Sequence, residues 1–504
     1  MKLMNAETMK ALDAYAINEL GIPSLSLMDS AAEYIVNAAV KHGGETVAVF
    51  VGSGNNGGDG ICAAAKLIKL GFTVRTFMVG SFAKMTEDSK VMADRLCEAG
   101  GNIEEFSADV DVEVYVRGCD IIVDAMLGVG LNAELGGSYL RAVKMINRAM
   151  SYVISADIPT GVSADTGLVM GDAVKADVTV TFSLPKAGQF VEPGCVYCGE
   201  VKVCDIGIPE SVFSKFDTDT MLITEKYIEL PKRRPDTHKG DYGRDFILAG
   251  SIGYTGAPLL AAEAASRMGA GLVYLGVPDS IYSIAAIRCT EVMPIPMPCD
   301  DDGIVSWNAR EAVADMLNKC DVCLAGPGLS TSYQLRYILE MIVRNEKCHV
   351  VLDADGINGI SENIDILNEA QKTVVLTPHP GEFAKIGGSL EKGRICGARE
   401  FATKYNCVLV LKGHRTVVAL PDGRVFVNTT GGPALAKGGS GDVLAGMITA
   451  LIGQGFYPAQ AAVMGVYLHG LAGDICAEEL GEYSVIATDV ISAISKAVKT
   501  VMRW

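Results

Sequence analysis

Short apolar runs alternate with helical patterns along most of the chain, and this alternation limits the possible folds more than any other feature. TVAVFV, TVRTFMV, DIIVDAM, YVISAD and VTVTF are the runs of the first half, and FILAG, LVYLGVP, VCLAG, VVLDAD, VVLTP and VLVLK are those of the second. Such runs are typical of parallel strands that are buried on both faces of a sheet. We therefore predict an α/β protein with two parallel sheets.

The alternation breaks once, between Phe216 and Asp241. Two prolines and several basic residues cluster there, in FDTDTMLITEKYIELPKRRPDTHKGD. Such a break is typical of a connection between domains. We place the boundary near Thr220 and predict one domain over residues 1–220 and another over residues 221–504.

Charge and cysteine usage exclude several classes of protein. A net charge of −17 argues against a nucleic-acid partner, because such surfaces need clustered Lys and Arg. No apolar run approaches the roughly 20 residues of a membrane span, and the N-terminus predicts an amphipathic helix, not a signal peptide. Fourteen cysteines without regular spacing predict free thiols in the cytoplasm, and these include the CxxC pairs Cys195/Cys198 and Cys320/Cys323.

The stretch GGPALAKGGSGDVLAG, from Gly431 to Gly446, is the strongest functional signal. A glycine-rich turn that opens a helix directs free N–H groups at one point, and the helix dipole adds positive potential there. Lys437 adds a cation, so we predict a phosphate site. Asp442 would stand in the first helical turn, where it could accept a proton from a hydroxyl group or simply cap the helix. The stretch is not a P-loop, because Lys437 is followed by Gly438.

In the first half, GSGNNGGDG has the GxGxxG spacing at Gly52, Gly54 and Gly57, which is a pattern of NAD-binding Rossmann turns. That interpretation requires a carboxylate at the end of the next strand, and TVRTFMVG offers none before Glu87. NNGGDG is also too polar to predict a helix start that packs on a sheet. Oxygen ligands from such a loop suit a hard cation better.

Polar residues follow the ends of neighbouring strands in the first half. They are Asn55, Asn56, Asp59, Asp124, Asp157 and Thr160. Because ligands bind at the carboxyl ends of parallel strands, we expect these residues to share one site. Asp124 and Asp157 could cap turns or form an oxygen cage with Asn56 and Thr160, and Asp157 could instead be a general acid or base. The residue types leave these roles open.

Two segments of the second half place polar groups at the same predicted sheet edge as Asp442. His379 lies in TPHPGE, between a strand and a helix, where it could contact a ligand or be structural. Glu382 is explained by the dipole of that helix, with magnesium binding as the alternative. KGHRT, from Lys412 to Thr416, could flank a nucleotide phosphate or form a basic hairpin turn.

These motifs resemble those of a known family over nearly the whole chain. GSGNNGGDG, DAMLGVGLNAEL and ADIPTGVSADTG are similar to the NAD(P)H-hydrate epimerase domain. HKGDYGRDFILAGSIGYTGAP, AGPG, LDADGIN, LTPHPGEF and NTTGGPALAKGGSGDVLAG are similar to the ADP-dependent NAD(P)H-hydrate dehydratase domain. Their order is that of the bifunctional bacterial repair enzymes. The resemblance implies an N-terminal Rossmann-like three-layer α/β domain followed by a ribokinase-like α/β domain.

The resemblance also implies an enzyme that is both an isomerase and a lyase. Its substrates would be NADHX and NADPHX, which carry water added across a nicotinamide double bond. The first domain would interconvert their R and S epimers. The second would dehydrate the S epimer with ADP and Mg²⁺, although eukaryotic members use ATP and the residues do not decide between the two donors. We expect a homo-oligomer whose partners are these small molecules, with no nucleic acid and no membrane.

The resemblance assigns roles to particular residues. In the first domain, the implied substrate contacts are Asn55, Asn56, Gly57, Gly58, Asp59, Gly128, Val129, Gly130, Leu131, Asn132, Ala133, Glu134 and Asp157, and the implied potassium ligands are Asn56, Asp124 and Thr160. In the second domain, the implied hydrate contacts are Ala257, Gly328, His379 and Asp442, and the implied nucleotide contacts are Lys412, Gly413, His414, Arg415, Thr416 and Gly441. Asp442 and Asp157 would be the catalytic residues.

The implied chemistry agrees with the phosphate site that the glycine-rich stretch predicts. Hydroxide is a poor leaving group, whereas a phosphorylated hydroxyl leaves readily when the ring nitrogen lone pair expels phosphate. Asp442 would accept the hydroxyl proton. The alternative is a ribokinase-like, vitamin-type kinase fused to a non-catalytic ligand-binding domain, which would release a stable phosphorylated product.

Overall fold

A computed structural model describes residues 1–502 and divides into two compact units. One spans Lys2–Thr220, and the other begins at Met221 and also includes Met1. Each unit is built on its own sheet with helices around it, which confirms the predicted α/β class. Within residues 1–502, no helix has the length and apolar character needed to cross a membrane. The cysteines in this range, including both CxxC pairs, are free thiols.

The N-terminal unit is organised around a fully parallel sheet. Its strands are β1 (Thr46–Val51), β2 (Thr73–Met78), β3 (Ile103–Glu105), β4 (Ile121–Ala125), β5 (Tyr152–Ala156), β6 (Val178–Phe182) and β7 (Glu200–Cys204). The strand order is β3-β2-β1-β4-β5-β6-β7, and every neighbouring pair is parallel. The order reverses between β1 and β4, and the carboxyl ends of strands at such a reversal form a ligand-binding crevice.

Helices cover both faces of this sheet and give it three layers. They are α1 (Ala6–Asn18), α2 (Ser24–His42), α3 (Asn55–Lys69), α4 (Glu87–Glu98), α5 (Val110–Gly118), α6 (Gly137–Ile146) and α7 (Glu210–Phe213). Alternate side chains of β1 point to opposite faces. Val47 and Val49 join the core formed with α1 to α4, whereas Ala48 and Phe50 join the core formed with α5 and α6.

One expectation about this unit is wrong. NNGGDG does form the start of a helix that packs on the sheet, since α3 begins at Asn55 directly after Gly54. The physical reason is the absence of side chains at the contact points. A Cβ atom at Gly57 would lie 1.9 Å from the Gly52 carbonyl oxygen, and one at Gly60 would lie 2.5 Å from the Ala125 side chain. The glycines therefore let the first turn of α3 approach the ends of β1 and β4.

The C-terminal unit has a longer, mixed sheet. Its strands are β8 (Thr220–Leu222), β9 (Arg244–Leu248), β10 (Leu272–Pro278), β11 (Met293–Met297), β12 (Val322–Ala325), β13 (His349–Leu352), β14 (Val374–Leu376), β15 (Val408–Leu411), β16 (Val417–Ala419) and β17 (Val425–Val427). The order is β11-β10-β9-β12-β13-β14-β15-β16-β17-β8. Pairing is parallel from β11 to β15 and antiparallel from β15 to β17.

A buried helix fixes the functional edge of this sheet. The helices of the unit are α8 (Gly256–Met268), α9 (Asp279–Arg288), α10 (Arg310–Lys319), α11 (Tyr333–Val343), α12 (Asp355–Ile360), α13 (Pro380–Lys385), α14 (Arg394–Lys404), α15 (Ser440–Gly453), α16 (Pro458–Leu480) and α17 (Ala487–Val501). Helix α15 packs closely on α8, because a Cβ atom at Gly446 would lie 2.1 Å from the Ala261 carbonyl oxygen. This contact sets the position of Asp442 in the first turn of α15.

Candidate functional site

A cavity of about 480 Å³ lies where the strand order of the N-terminal unit reverses. Seven of the residues that the sequence implicates line it, namely Asn55, Asn56, Asp59, Gly128, Val129, Gly130 and Asp157. They follow β1, β4 and β5, so the carboxyl ends of three neighbouring strands supply them. The sheet therefore brings together side chains that are about 100 residues apart in sequence.

The other implicated residues of this unit do not line the cavity. Gly57 and Gly58 lie behind it, where a Cβ atom at Gly58 would lie 2.7 Å from the Met28 side chain. Leu131, Asn132, Ala133 and Glu134 continue the loop after Gly130 without reaching the cavity wall. The two glycines serve close packing, and the four loop residues have no contact with the cavity in this structure.

Asp157 adopts a left-handed backbone conformation, and a buried lysine pairs with its carboxylate. Its φ of 64° lies in the left-handed region, which non-glycine residues rarely adopt. The Lys186 ammonium, 1% exposed, forms an ion pair with the Asp157 carboxylate and donates to the Thr181 hydroxyl at 2.9 Å. Gln189 Nε2 donates to the Asp157 carbonyl at 2.7 Å. A buried ammonium needs such partners, and in return it fixes where the carboxylate points.

Oxygen atoms suited to a cation lie beside this cavity. Asp124 is fully buried and accepts hydrogen bonds from the Thr160 hydroxyl at 2.6 Å and from the Ser155 hydroxyl at 2.9 Å. Burial raises the pKa of Asp124, and these hydrogen bonds oppose the rise. The amide group of Asn56 is buried, and both of its polar atoms lack a protein partner. An unpartnered buried amide of this kind is costly unless a ligand or an ion satisfies it.

In the C-terminal unit, a cavity of about 710 Å³ lies between the strand ends and the start of α15. Six of the implicated residues line it, namely His379, Lys412, Gly413, His414, Thr416 and Gly441. Arg415 does not, because its guanidinium turns away and donates to the Thr429 carbonyl at 2.9 Å. Lys437 lines the cavity, but its ammonium donates to the Tyr483 carbonyl at 2.6 Å.

The Lys412 ammonium lies beside the glycine-rich turn. It lies 2.7 Å from Asp353 Oδ1 and 3.9 Å from Glu382 Oε2, and a Cβ atom at Gly441 would lie 3.3 Å from it. The Thr377 hydroxyl also donates to Asp353, at 2.6 Å. Burial lowers the pKa of Lys412, but the carboxylates of Asp353 and Glu382 outweigh it and raise that pKa. A permanent positive charge is therefore fixed at the N-terminus of α15.

Asp442 has the electrostatic properties of a proton acceptor. Its pKa is raised to about 7, chiefly by burial and also by the neighbouring carboxylates of Asp353 and Asp355, while Lys412 opposes the rise. A carboxyl with a pKa near the working pH can both accept a proton and release it. Its place in the first turn of α15 agrees with the prediction from the sequence.

His379 caps a helix and also lines the cavity. Its Nδ1 accepts hydrogen bonds from the backbone N–H groups of Gly381 and Glu382, at 3.0 and 3.3 Å, and thereby caps α13. Glu382 Oε2 in turn accepts from the His379 N–H at 2.8 Å. In this reciprocal capping the His379 side chain remains 57% exposed, and its Nε2 lies 3.5 Å from Glu382 Oε1.

Ala257 and Gly328 lie together on a different part of the same sheet edge. A Cβ atom at Gly328, whose φ is 65°, would lie 3.2 Å from the Ala257 side chain and 2.9 Å from that of Tyr254. Neither residue lines the cavity beside α15. Asp355 connects the two places, because it accepts from the Ser330 N–H at 2.8 Å and interacts electrostatically with Asp442.

Comparison with known proteins matches two family models to this chain. A family model described as YjeF-related protein N-terminus matches residues 24–188, and a model described as NAD(P)H-hydrate dehydratase matches residues 246–496. A bifunctional NAD(P)H-hydrate repair enzyme from Moorella thermoacetica is 36% identical over 97% of this chain and 95% of its own length. The chain belongs to the bifunctional NAD(P)H-hydrate repair enzyme family.

Further relatives support the assignment to this repair enzyme family. A bifunctional NAD(P)H-hydrate repair enzyme from Thermofilum pendens is 37% identical over 99% of this chain and 96% of its own length. Among solved structures, a ribokinase-like superfamily protein from Enterococcus faecalis V583 is 26% identical, covers 57% of this chain and 98% of its own, and superimposes with a TM-score of 0.50. The C-terminal unit therefore has the ribokinase-like fold.

Sequence reasoning missed several residues of both sites in this family member. Asp353 and Asp355 lie in LDADGIN, a strand-end motif whose carboxylates could have been singled out. Lys186 follows β6, and its position at a strand end was the available signal. Asp13 lines the N-terminal cavity from α1, where one polar residue of an amphipathic helix carries no sequence signal at all.

Proposed function

We propose that the chain restores damaged nicotinamide cofactors. The N-terminal domain, residues 1–220, would interconvert the R and S epimers of NADHX and NADPHX. The C-terminal domain, residues 221–504, would dehydrate the S epimer with ADP. Membership of the repair enzyme family supports this proposal. The observation that carries it is Asp442, a carboxyl with a pKa of about 7 that stands beside Lys412 at a glycine-rich helix start.

The dehydration proceeds in three steps. Asp442 accepts the proton of the substrate hydroxyl while the oxygen attacks the terminal phosphorus of ADP, so that a new P–O bond forms and the bond to the leaving AMP breaks. The ring nitrogen lone pair then forms an N=C bond as the C–O bond breaks and phosphate leaves. Loss of a proton from the neighbouring carbon restores the ring double bond. The products are NADH or NADPH, AMP and inorganic phosphate.

The chain's own groups stabilise the charge that moves in the first step. The GGSG turn, residues 438–441, opens α15, and Gly438, Ser440 and Gly441 line the cavity at the positive end of the helix dipole. Lys412 adds a full charge whose position is fixed by Asp353. Donors of this kind stabilise a transferring phosphoryl group without having to reorganise. We propose that Lys412, Gly413, His414, Thr416 and Gly441 bind the nucleotide.

The residues present suit a magnesium ion that arrives with the nucleotide. Within residues 1–502, no group of three His, Cys, Asp or Glu side chains converges as a ready-made metal site. Mg²⁺ bound to phosphates needs only one or two protein carboxylates and keeps several waters. Asp353 and Glu382, which face Lys412, would supply them. The ion would neutralise charge on the phosphates of ADP.

In the N-terminal site we propose that a potassium ion binds to Asn56, Asp124 and Thr160. The unpartnered amide of Asn56 supports this, since an ion would satisfy its buried Oδ1 atom. Thr160 and Asn56 both adjoin the loop that follows β4: Leu127 N–H donates to the Thr160 hydroxyl at 3.0 Å, and a Cβ atom at Gly128 would lie 3.3 Å from Asn56 Cγ. The ion would orient this loop against the substrate, with Asp157 as the acid–base group.

The proposed dehydration is tested by incubating the protein with S-NADHX and ADP. We expect the near-ultraviolet absorbance of NADH to return, with one AMP and one phosphate formed for each NADH. Replacing ADP by ATP in a parallel series identifies the preferred donor. A phosphorylated hydrate that accumulates without NADH would instead identify the protein as a kinase and refute the proposal. We further propose that the protein acts in the cytoplasm and forms a homo-oligomer. Light scattering would measure its oligomeric state.

A further inference from the structure

Helix α1 belongs to the N-terminal cavity although it precedes the segment that matches a family model. The YjeF-related model matches residues 24–188, whereas α1 spans Ala6–Asn18. The helix nevertheless contributes Lys10 and Asp13 to the cavity wall. One carboxyl of this site therefore comes from outside the segment in which the motifs lie.

The position of α1 is fixed by the segment that carries Lys186. Met4 N–H donates to the Pro185 carbonyl at 2.9 Å, and Ala187 N–H donates to the Met4 carbonyl at 3.0 Å. These bonds form a parallel bridge between Met4 and Lys186 directly before the helix begins. The Asn5 side chain then caps the first turn. The start of α1 is thus attached to the backbone of the residue that pairs with Asp157.

Asp13 faces the charges of the cavity without a hydrogen-bond partner of its own. Within residues 1–502, its carboxyl accepts no hydrogen bond and forms no ion pair. The pKa of Asp13 is raised to about 6, chiefly by burial, with the Lys186 ammonium opposing the rise and the Asp157 carboxylate adding to it. A half-buried carboxyl in this state can release a proton to a ligand and take one back near neutral pH.

Asp13 is a carboxyl of this cavity that pairs with no cation or hydrogen-bond donor in the described part of the chain, so a ligand can exchange protons with it. The titratable residues that line this cavity are Lys10, Asp13, Asp59, Asp88, Tyr139, Asp157 and Lys186. Asp157 is held by Lys186. Burial, together with Asp157 and Asp13, raises the pKa of Asp59 well above its usual range, so Asp59 keeps its proton. Epimerisation needs one group that donates a proton and another that accepts one.

We propose that Asp13 is a catalytic residue of the epimerase site and acts as the partner of Asp157. Asp13 protonates the hydroxyl of the hydrated ring; the C–O bond breaks, the ring nitrogen lone pair forms an N=C bond, and water leaves. Water then adds to the opposite face of the same carbon: a new C–O bond forms, the N=C electron pair returns to the ring nitrogen, and Asp157 takes the proton. Exchange with solvent returns both carboxyls to their starting states. The inference rests on the proposed epimerase function of this domain.

The test compares Asp13→Asn with the wild-type protein on R-NADHX, with the two epimers separated by chromatography. The variant keeps the shape of the side chain but cannot exchange a proton, so we expect kcat for epimerisation to fall by about 100-fold or more. Glu19→Gln, at the exposed end of α1, should leave epimerisation unchanged. Dehydration of S-NADHX by the same Asp13→Asn preparation should also be unchanged.

Folding and pH dependence separate a catalytic role from a structural one. Because the fold raises the pKa of Asp13, its ionised form opposes folding, and Asp13→Asn should keep or raise the unfolding temperature at neutral pH. Asp13→Glu restores a carboxyl and should recover part of the rate. In the wild type, the rate should change with pH around about 6, and Asp13→Asn should lack this limb.

Three results would overturn the inference, and they are distinguishable. If the wild type interconverts the epimers and Asp13→Asn does so at nearly the same rate with the same pH profile, Asp13 has no catalytic role and the proposed function stands. If the wild type itself does not interconvert the epimers, the epimerase function fails and the inference fails with it. A variant whose rate falls and whose unfolding temperature falls equally would indicate a structural role.

Discussion

Replacing Asp442 by Asn should greatly slow dehydration and stabilise the protein at the same time. The fold raises the pKa of this carboxyl from an ordinary 3.8 to about 7, chiefly through burial. The ionised form is therefore disfavoured in the folded state, and folding loses free energy as the pH rises from about 4 to about 7. Asn has nearly the same shape and carries no charge, so the variant escapes this penalty.

The size of the effect follows from the two pKa values. A difference of roughly 3 between them corresponds to about 4 kcal/mol at about 1.4 kcal/mol per unit. Asp442 is partly exposed, so solvent screening reduces this, and we expect a gain of about 2 kcal/mol at about pH 8. For a domain of this size that raises the unfolding temperature by about 4 °C or more. Most of the gain should be lost at about pH 4, where the Asp442 carboxyl of the wild type is largely protonated in both the folded and the unfolded state.

Thermal unfolding followed by calorimetry at the two pH values measures this gain. Asp301→Asn, in an exposed loop of the same unit, is the matched control and should show no such difference. The same Asp442→Asn preparation should lose about 10²- to 10⁴-fold in kcat for dehydration, the usual contribution of a general base. A variant that is less stable than wild type at about pH 8, or that gains equally at both pH values, would refute the electrostatic reasoning.

Three further predictions concern the pH profile, the potassium site and the packing of α15. Dehydration by the wild type should rise with pH through about 7, since Asp442 must lose its proton to act as a base, and a rate that falls over this range would contradict that role. Asn56→Ala should make epimerisation insensitive to the replacement of potassium by lithium, whereas the wild type should lose activity in lithium; equal responses would remove Asn56 from the ion site. Gly446→Ala should destabilise the C-terminal unit by about 1–3 kcal/mol, because the new Cβ atom would meet the Ala261 carbonyl oxygen, and an unchanged unfolding temperature would contradict that packing.

The parallel strands were predictable from the sequence, whereas the antiparallel edge from β15 to β17 and one helix boundary were not. Apolar runs such as TVAVFV and VLVL have little alternative to a buried strand, and the structure places β1 and β15 there. The start of α3 at Asn55 was mispredicted because polarity suggested a loop. Glycines at positions 57 and 60 allow a polar turn to pack on the sheet, and that close approach exists only in the tertiary structure.

The site was predictable where one segment builds it and unpredictable where distant segments meet. Asp442 and the glycines before it share one turn, so local reasoning located them. The pairing of Lys412 with Asp353 depends on the order of β13, β14 and β15, which no local pattern specifies. Asp13 reaches its cavity through the docking of α1 beside Lys186, and a helical pattern alone does not reveal what its polar face meets.

The fate of the substrate's hydroxyl oxygen tests the central claim most directly. S-NADHX whose ring hydroxyl carries a heavy oxygen isotope is converted with unlabelled ADP in unlabelled water, and the products are analysed by mass spectrometry. If the hydroxyl is phosphorylated before elimination, the heavy oxygen appears in inorganic phosphate, one atom for each NADH formed. Heavy oxygen in water, with unlabelled phosphate, would contradict the account and show that the hydroxyl leaves without being phosphorylated.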